Sequence, residues 1–280
     1  MVCCEWERRE SRLNQKNIMK KVGVIGAGNI GCAIAKGLVS FGGISPSDIY
    51  VSRKRSSLLS DLEEQGYTIS NNENLVDSCD IILLAVLPGQ AKEVIQQIKP
   101  KLGKQNKILV SVVAAVSIEE IEEWSGNGTP VVRIMPNTAA EYGASMTCIA
   151  GSDDDAVASV EKLFQPLGQT MIIKEQLMPA ATILAACGIA FFLRFIRAVS
   201  QGGIQIGFHA EEAGKIAAQT ARGAAELLMK TDHHPETEID RVTTPMGCTI
   251  AGLNEMEHFG LSSAMIKGIV KSYSGISDLK

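Results

Sequence analysis

Near its start the chain runs from an apolar stretch, Val22-Gly23-Val24-Ile25, through Gly26-Ala27-Gly28-Asn29-Ile30-Gly31 and into a segment of helical character ending near Leu38. Strand, glycine turn and helix in that order restrict the fold more than any other feature. They build the opening of a βαβ unit whose turn is shaped for phosphate. Gly26 permits the tight turn, Gly28 lets the backbone approach a pyrophosphate, and Gly31 lets the helix pack on the strand. The first N–H groups of the helix, around Asn29 and Ile30, then face the phosphates with the positive end of the dipole. An unliganded glycine turn is the plain alternative. A second strand, Asp48 to Ser52, at the expected distance favours a dinucleotide site.

The end of that second strand bears on which dinucleotide. A carboxylate there would accept the ribose hydroxyls of NAD, but the residues are Ser52-Arg53-Lys54-Arg55-Ser56. Three cations and two hydroxyls suit a 2′-phosphate, since guanidinium and ammonium groups pair with its oxygens. NADPH is favoured and NADH is not excluded; a solvated basic loop is the alternative reading.

Further along, Ser57 to Gln65 reads as helix and Ile81 to Val86 as a buried strand ended by Pro88-Gly89. Gln90 to Ile98 reads as helix, Ile108 to Val113 as strand, Ile118 to Trp124 as helix, and Val131 to Met135 as strand. Met146 to Ala150 and Thr170 to Ile173 add two strands around a helix from Asp154 to Phe164. Alternating helices and continuous apolar strands imply a parallel, doubly wound sheet. Strand signals then stop. Helices are expected over Met178 to Gly202, His209 to Lys230, Ile250 to Phe259 and Ser262 to Tyr273, with Ala213, Ala217, Thr220, Ala224 and Leu228 on one small-residue face. The fold class is therefore α/β, a Rossmann-type domain over 19–174 followed by an all-helical domain over 175–280, whose small-residue face would allow close packing in a bundle or dimer. Residues 1–18 are polar, lack an apolar core of the signal-peptide kind, and are expected to be a disordered extension outside the fold.

Charge and cysteine usage narrow the class. A net charge of −4 gives no electrostatic reason to expect nucleic acid. Seven cysteines without CxxC spacing fit reduced thiols in the cytoplasm, and four scattered histidines suggest no metal site. The uncharged run from Gln176 to Leu193 is long enough to span a membrane, but its proline, glycine and alanines fit better a helix buried against another subunit.

Candidate chemistry falls in three places. Thr244-Thr249 sets Pro245, Gly247 and small hydroxyl or thiol side chains before a helix, where free N–H groups would receive a carboxylate; a capped loop is the alternative. Asn137, after the strand ending at Met135, and Leu87-Pro88-Gly89 lie at the carboxyl edge of the sheet, where ligands of doubly wound folds bind. Neither Gln176 to Leu193 nor Val242 to Leu253 contains His, Lys, Asp or Glu. Alcohol or ketone chemistry needs a positioned acid or base, whereas a protonated imine needs little beyond orientation and hydride. The reading tilts toward imine reduction.

At these residues the chain resembles the pyrroline-5-carboxylate reductases from Lys20 onward. The resemblance rests on the glycine motif at 26–31, Ala85-Val86-x-Pro88, Arg133-x-Met135-Pro136-Asn137-Thr138, Ala217-Ala218-Gln219-Thr220-Ala221-Arg222-Gly223-Ala224-Ala225, and Asp240-x-Val242-Thr243-Thr244-Pro245-x-Gly247-x-Thr249-Ile250-Ala251-Gly252-Leu253. It implies NAD(P)H-dependent reduction of 1-pyrroline-5-carboxylate to proline by an interleaved homodimer, often part of a larger ring such as a decamer. It also implies a site completed across the dimer interface. Ser52, Arg53 and Lys54 at the second strand end and Asn137 at the sheet edge are expected to join the glycine turn in binding the cofactor; by motif position Asn72 would contact its ribose, and Ala85, Val86, Leu87 and Pro88 would pass the nicotinamide. Thr244, Met246, Gly247, Cys248 and Cys187 would contact substrate, with the Thr249 hydroxyl near the imine nitrogen. The chain departs from the family pattern at Ala185-Ala186-Cys187-Gly188-Ile189-Ala190-Phe191, where Ser-Gly-Ser-Gly-Pro-Ala-Tyr is usual. It also departs at Leu87 for Lys, Ala139 for Pro, Met246 for Gly and Cys248 for Thr or Ala. The pocket so implied is more apolar, which leaves open a related cyclic imine acid as substrate, or a weakly catalytic NADP-binding protein.

Overall fold

The structure is a computed structural model that describes residues 21–103, 107–126 and 128–276. The expected extension over 1–18 lies outside the described residues. The chain divides into two compact units, one running through Ala186 and taking in the residues after Ser274, the other spanning Cys187–Ser274.

In the first unit, β1 (Val22–Ile25), β2 (Ile49–Ser52), β3 (Thr68–Ile69), β4 (Ile81–Leu84), β5 (Ile108–Ser111), β6 (Val131–Met135), β7 (Ser145–Gly151) and β8 (Gly168–Ile172) form one sheet in the order β3-β2-β1-β4-β5-β6-β7-β8. Strands β1, β4, β5 and β6 are buried along their whole length, as a sheet covered on both faces requires; β4 is an unbroken Ile/Leu run, and the others are apolar apart from Gly23, Ser111 and Arg133. On one face α1 (Asn29–Ser40) buries Ile34 and Leu38, and α6 (Asp154–Phe164) buries Val160 and Phe164, in the same core as Val24, Val51 and Ile134. On the other face α3 (Asn72–Ser78), α4 (Pro88–Leu102) and α5 (Ile118–Ser125) bury Leu75, Ile95 and Ile121 with Ile25, Ile82 and Leu109. Strand order reverses between β1 and β4, so a crevice opens at their carboxyl ends.

The expected doubly wound sheet is present, with one correction to its direction. All neighbouring strands run parallel except β6 and β7, which are antiparallel. Only a short 3-10 turn, Thr138–Tyr142, joins these two, and a parallel return needs a crossover of a dozen or more residues. Two elements of this unit were not legible: β3 has two residues, and α3 begins in a polar run capped by the Asn71 side chain, which accepts from the Asn74 N–H. The helix expected over Ser57 to Gln65 is a 3-10 turn, Ser56–Leu59, followed by α2 (Ser60–Glu64).

The helix expected from Met178 to Gly202 is three pieces. These are α7 (Met178–Ala181), a π-helical turn over Thr182–Cys187, and α8 (Gly188–Gln205). Met178, Ala181 and Ala185 pack with Met135, Cys148 and Ala150, which carries the packing of the first unit past its last strand.

In the second unit α8 lies against α9 (Ala210–Thr231). Ala213 and Ala217 of the small-residue face are buried, and a Cβ added at Gly203 would stand 3.0 Å from the Ala213 Cβ. Ser200 is also buried, and a Cβ added at Gly214 would stand 3.9 Å from its Oγ. Then follow α10 (Pro235–Val242), α11 (Cys248–His258) and α12 (Leu261–Ser274), none of which buries a residue within the chain. Without an apolar stripe α10 gave no periodic signal; it starts where the His234 Nδ1 accepts from the Glu236 N–H.

Candidate active site

The glycine turn connects β1 to α1 at the switch point. Gly26 has φ +97°, a conformation glycine adopts freely, and a Cβ there would lie 2.5 Å from the Ala85 carbonyl oxygen. A Cβ at Gly31 would stand 2.5 Å from the Gly26 oxygen, so α1 is pressed onto the turn. A Cβ at Gly28 would meet nothing within 4 Å. That open backbone is the N-cap of α1, and no side chain closes on the helix N-terminus behind it. The turn is fixed from below, where the Gly26 and Ala27 N–H groups both donate to the Ser52 carbonyl at 3.0 Å. A dinucleotide pyrophosphate fits this cradle: the backbone is open at Gly28, and helix N–H donors stand uncapped.

The same strand end joins the turn to the candidate ribose contacts. The buried Ser52 hydroxyl donates to Asn72 Oδ1 at 2.7 Å, and Asn72 Nδ2 donates to Gln97 Oε1 at 2.9 Å. Gln97, on α4, was not singled out in the sequence, and only its side-chain bond identifies it. Arg53, Lys54 and Arg55 follow, all exposed. On the first turn of α1, burial pushes the Cys32 thiol up, against the pull of Lys36 and Arg53. Ala85 donates its N–H to the Ile25 carbonyl at 2.8 Å, which sets the start of Ala85-Val86-Leu87-Pro88 beside the glycine turn. Val86 packs on the core, Leu87 is exposed at the N-cap of α4, and Pro88 takes its first position.

Asn137 is buried at the end of β6 and already heavily bonded. Its Nδ2 donates to the Ala185 carbonyl at 3.1 Å, its Oδ1 accepts from the Ala139 N–H at 3.0 Å, and its own N–H donates to Ser145 Oγ at 3.1 Å. It thus ties β6 to the π-helical turn. A second tie was missed in the sequence: the buried Arg133 side chain donates to Glu175 Oε1 at 2.9 Å, and that oxygen also accepts the Ile118 N–H at 2.7 Å. The available signal was an arginine inside an otherwise apolar strand, which demands a buried partner. Arg133 Nε is buried with no partner.

In the second unit, the Gly247 N–H donates to the Thr244 carbonyl at 2.9 Å and closes a turn over Thr244-Pro245-Met246-Gly247. Gly247 is the N-cap of α11, and no side chain caps that helix. Cys248 and Thr249 follow as its first residues, both exposed, so the Thr249 hydroxyl is not the cap that a plain loop would use. Cys187 ends the π-helical turn half-buried, and desolvation pushes its thiol up. Each unit therefore gathers its own candidate residues: Gly26 to Gly31, Ser52, Asn72 and Ala85 to Pro88 in the first, Thr244 to Thr249 in the second.

Comparison with known proteins gives matches for both parts. Residues 21–115 match the family described as NADP oxidoreductase coenzyme F420-dependent, and residues 175–279 match pyrroline-5-carboxylate reductase dimerisation. Pyrroline-5-carboxylate reductase 1 of Dictyostelium discoideum is 46% identical over 90% of the chain, and the chain spans about half of that protein, 48%. Pyrroline-5-carboxylate reductase 2 of the same organism is 44% identical, with 90% of this chain and 91% of that protein covered. The crystal structure of Plasmodium falciparum pyrroline carboxylate reductase with NADP bound superposes with a TM-score of 0.83 at 26% identity, covering 93% of this chain and 98% of that one.

Proposed function

The chain belongs to the pyrroline-5-carboxylate reductase family, and from that premise we propose that it reduces 1-pyrroline-5-carboxylate to L-proline with NADPH, the last step of proline biosynthesis. The observation that carries the reading is the open, uncapped glycine cradle at the switch point of a chain alike to these reductases along nine-tenths of its length.

In this reading the N–H groups at Asn29, Ile30 and Gly31 hold the pyrophosphate, with Gly26 and Gly28 giving it room. Ser52, Arg53 and Lys54 take the 2′-phosphate, Asn72 the ribose, and Ala85 to Pro88 with Asn137 border the nicotinamide. Bound NADPH supplies the hydride that the imine carbon accepts. Thr244, Met246, Gly247, Cys248 and Cys187 surround the substrate. Its carboxylate is received by the uncapped N–H groups of α11, and the Thr249 hydroxyl stands near the reacting nitrogen. No side-chain acid is required, because an imine that arrives protonated already carries the proton its nitrogen keeps when the carbon accepts hydride.

The second unit is read as half of a homodimer that completes the site, with a larger ring such as a decamer as its further assembly. Its large apolar side chains are exposed in the single chain, among them Phe192, Leu193, Phe195, Ile206, Phe259 and Ile266. The helical run Glu175–Gln205 is long and apolar enough to cross a membrane, but a second copy accounts for its exposed face without one. We assign the enzyme to the cytoplasm, where cysteines spread without paired spacing would stay as reduced thiols. Sedimentation at micromolar concentration is expected to give at least a dimer, and a fully active monomer would remove the shared site.

NADPH oxidation measured with several cyclic imine carboxylates tests the activity. The expected result is highest kcat/KM with 1-pyrroline-5-carboxylate. A related cyclic imine acid as best substrate is the second reading, favoured by the apolar residues of the π-helical turn and by Met246. Binding of NADPH with no turnover on any imine would refute both.

A further inference from the structure

The side chain read as the ribose contact is held at both ends. Asn72 opens α3, but the helix cap is its neighbour Asn71, whose side chain accepts from the Asn74 N–H at 2.9 Å. The Asn72 amide is therefore not spent on the helix. Its Oδ1 accepts from the buried Ser52 hydroxyl at 2.7 Å, and its Nδ2 donates to Gln97 Oε1 at 2.9 Å. A primary amide offers two acceptor lone pairs and two N–H donors. Ser52 and Gln97 take one of each, and one of each is left, the complement of a sugar hydroxyl, which both donates and accepts.

The two anchors do different work. Ser52 is buried, and its carbonyl receives the Gly26 and Ala27 N–H groups, both at 3.0 Å, so it fixes Asn72 relative to the phosphate cradle. Gln97 is exposed on α4, the helix whose first residue, Pro88, ends the segment read as bordering the nicotinamide. An exposed neutral hydrogen bond exchanges with water, so the fold gains little from this one. Its geometric effect is larger. The terminal torsion of an asparagine is broad, and an amide held only through its oxygen turns about that anchor. A second bond, at the nitrogen, fixes its plane. Resting on the reading that Asn72 binds the cofactor ribose, we propose that Gln97 is a positioning residue for NADPH: it acts through Asn72, holding the amide in the plane in which its remaining donor and acceptor meet the ribose. Neither bond has to break when the cofactor enters, so the ribose meets a preorganised group.

The test measures the Kd for NADPH by fluorescence titration of the full chain, in wild type, Q97M, Q97E, N72A and the double variant N72A/Q97M, with thermal unfolding of each. Q97M keeps the side-chain length and loses the acceptor. It is expected to raise the Kd about fivefold, the scale of one neutral hydrogen bond, with a Tm within about 2 °C of wild type. KM for the imine at saturating NADPH is expected to hold, because the loss falls on the cofactor alone. Q97E retains an acceptor oxygen for Asn72 Nδ2 and is expected to match wild type when both are measured at high salt, which screens the added charge. In the N72A background Q97M is expected to have no further effect, since the group it positions is gone. If Q97M weakens NADPH equally with and without Asn72, Gln97 acts by another route and the proposal is overturned. If Q97M leaves the Kd unchanged while N72A raises it, the ribose reading stands and positioning by Gln97 is overturned. If N72A leaves the Kd unchanged in a folded protein, Asn72 does not hold the cofactor, and the ribose reading falls together with the proposal.

Discussion

Replacing Glu175 by alanine is expected to destabilise the enzyme far more than removing an ordinary surface carboxylate. The Arg133 side chain is 6% exposed and its Nε is already without a partner, so Glu175 Oε1 is the acceptor that compensates this buried charge. Breaking a buried ion pair by deleting one partner costs about 3–5 kcal/mol, because the remaining charge stays desolvated. Glu175 itself is 29% exposed, so water can partly reach the vacated position, which sets the expectation near the lower end. Loss of the acceptor for the Ile118 N–H adds about 1 kcal/mol. A total of about 4 kcal/mol corresponds to a fall in Tm of about 8–16 °C for a chain of this size. Urea denaturation at one fixed protein concentration measures it. Glu175→Gln, which keeps an acceptor oxygen and loses only the charge, is expected to fall between wild type and Glu175→Ala. The pair Arg133→Met with Glu175→Leu should recover most of the loss, since two apolar side chains leave no orphan charge. A loss below about 1 kcal/mol for Glu175→Ala would show that Arg133 finds water or another acceptor, and the reasoning from burial would fail.

Changing Arg53 and Arg55 together to alanine is expected to raise the KM for NADPH much more than that for NADH, each charge-assisted phosphate contact being worth about 1.5–3 kcal/mol; equal losses would put the phosphate elsewhere. Thr249→Ala is expected to spare NADPH binding and to lower kcat/KM by about 1–3 kcal/mol in transition-state terms, and full retained activity would leave the hydroxyl without a role in the reaction. Burial pushes the Cys79 thiol up to about 12. At pH 8 about one molecule in ten thousand then carries the thiolate, so iodoacetamide followed by mass spectrometry should label the exposed Cys248 and leave Cys79 unmodified until urea unfolds the protein.

The elements legible in the sequence are those whose residues carry a period or a steric demand. Val131–Met135 and Asp154–Phe164 coincide with their expected bounds, since an apolar run and an amphipathic repeat leave little choice of state. The glycine turn was legible because it needs particular residues: Gly26 and Gly31 each have a carbonyl oxygen where a Cβ would sit. What stayed hidden has no local signature. The antiparallel direction of β7 depends on how far Thr138–Tyr142 can carry the chain, and a run of buried strand residues looks the same in either direction. Helix α10 turns no apolar face inward within the chain, so it lacked the signal that identifies most helices.

Around the candidate site the limit is of another kind, because side chains named for a ligand also have structural partners. Asn137 sits at the sheet edge where a ligand contact is expected, yet its buried amide holds Ala139 and Ala185. The second of those partners lies within Thr182–Cys187, which is wound as a π-helical turn. The residues of that turn are alanines, isoleucine, leucine, threonine and cysteine, all compatible with an ordinary helix, so the winding could not be read from them. The Asn137–Ala185 bond also links the edge of the nucleotide-binding sheet to the stretch where the chain departs from its family pattern, Ala185 to Phe191. The end of β6 is therefore tied to a segment more than forty residues away, a link that no motif match at Asn137 alone could reveal.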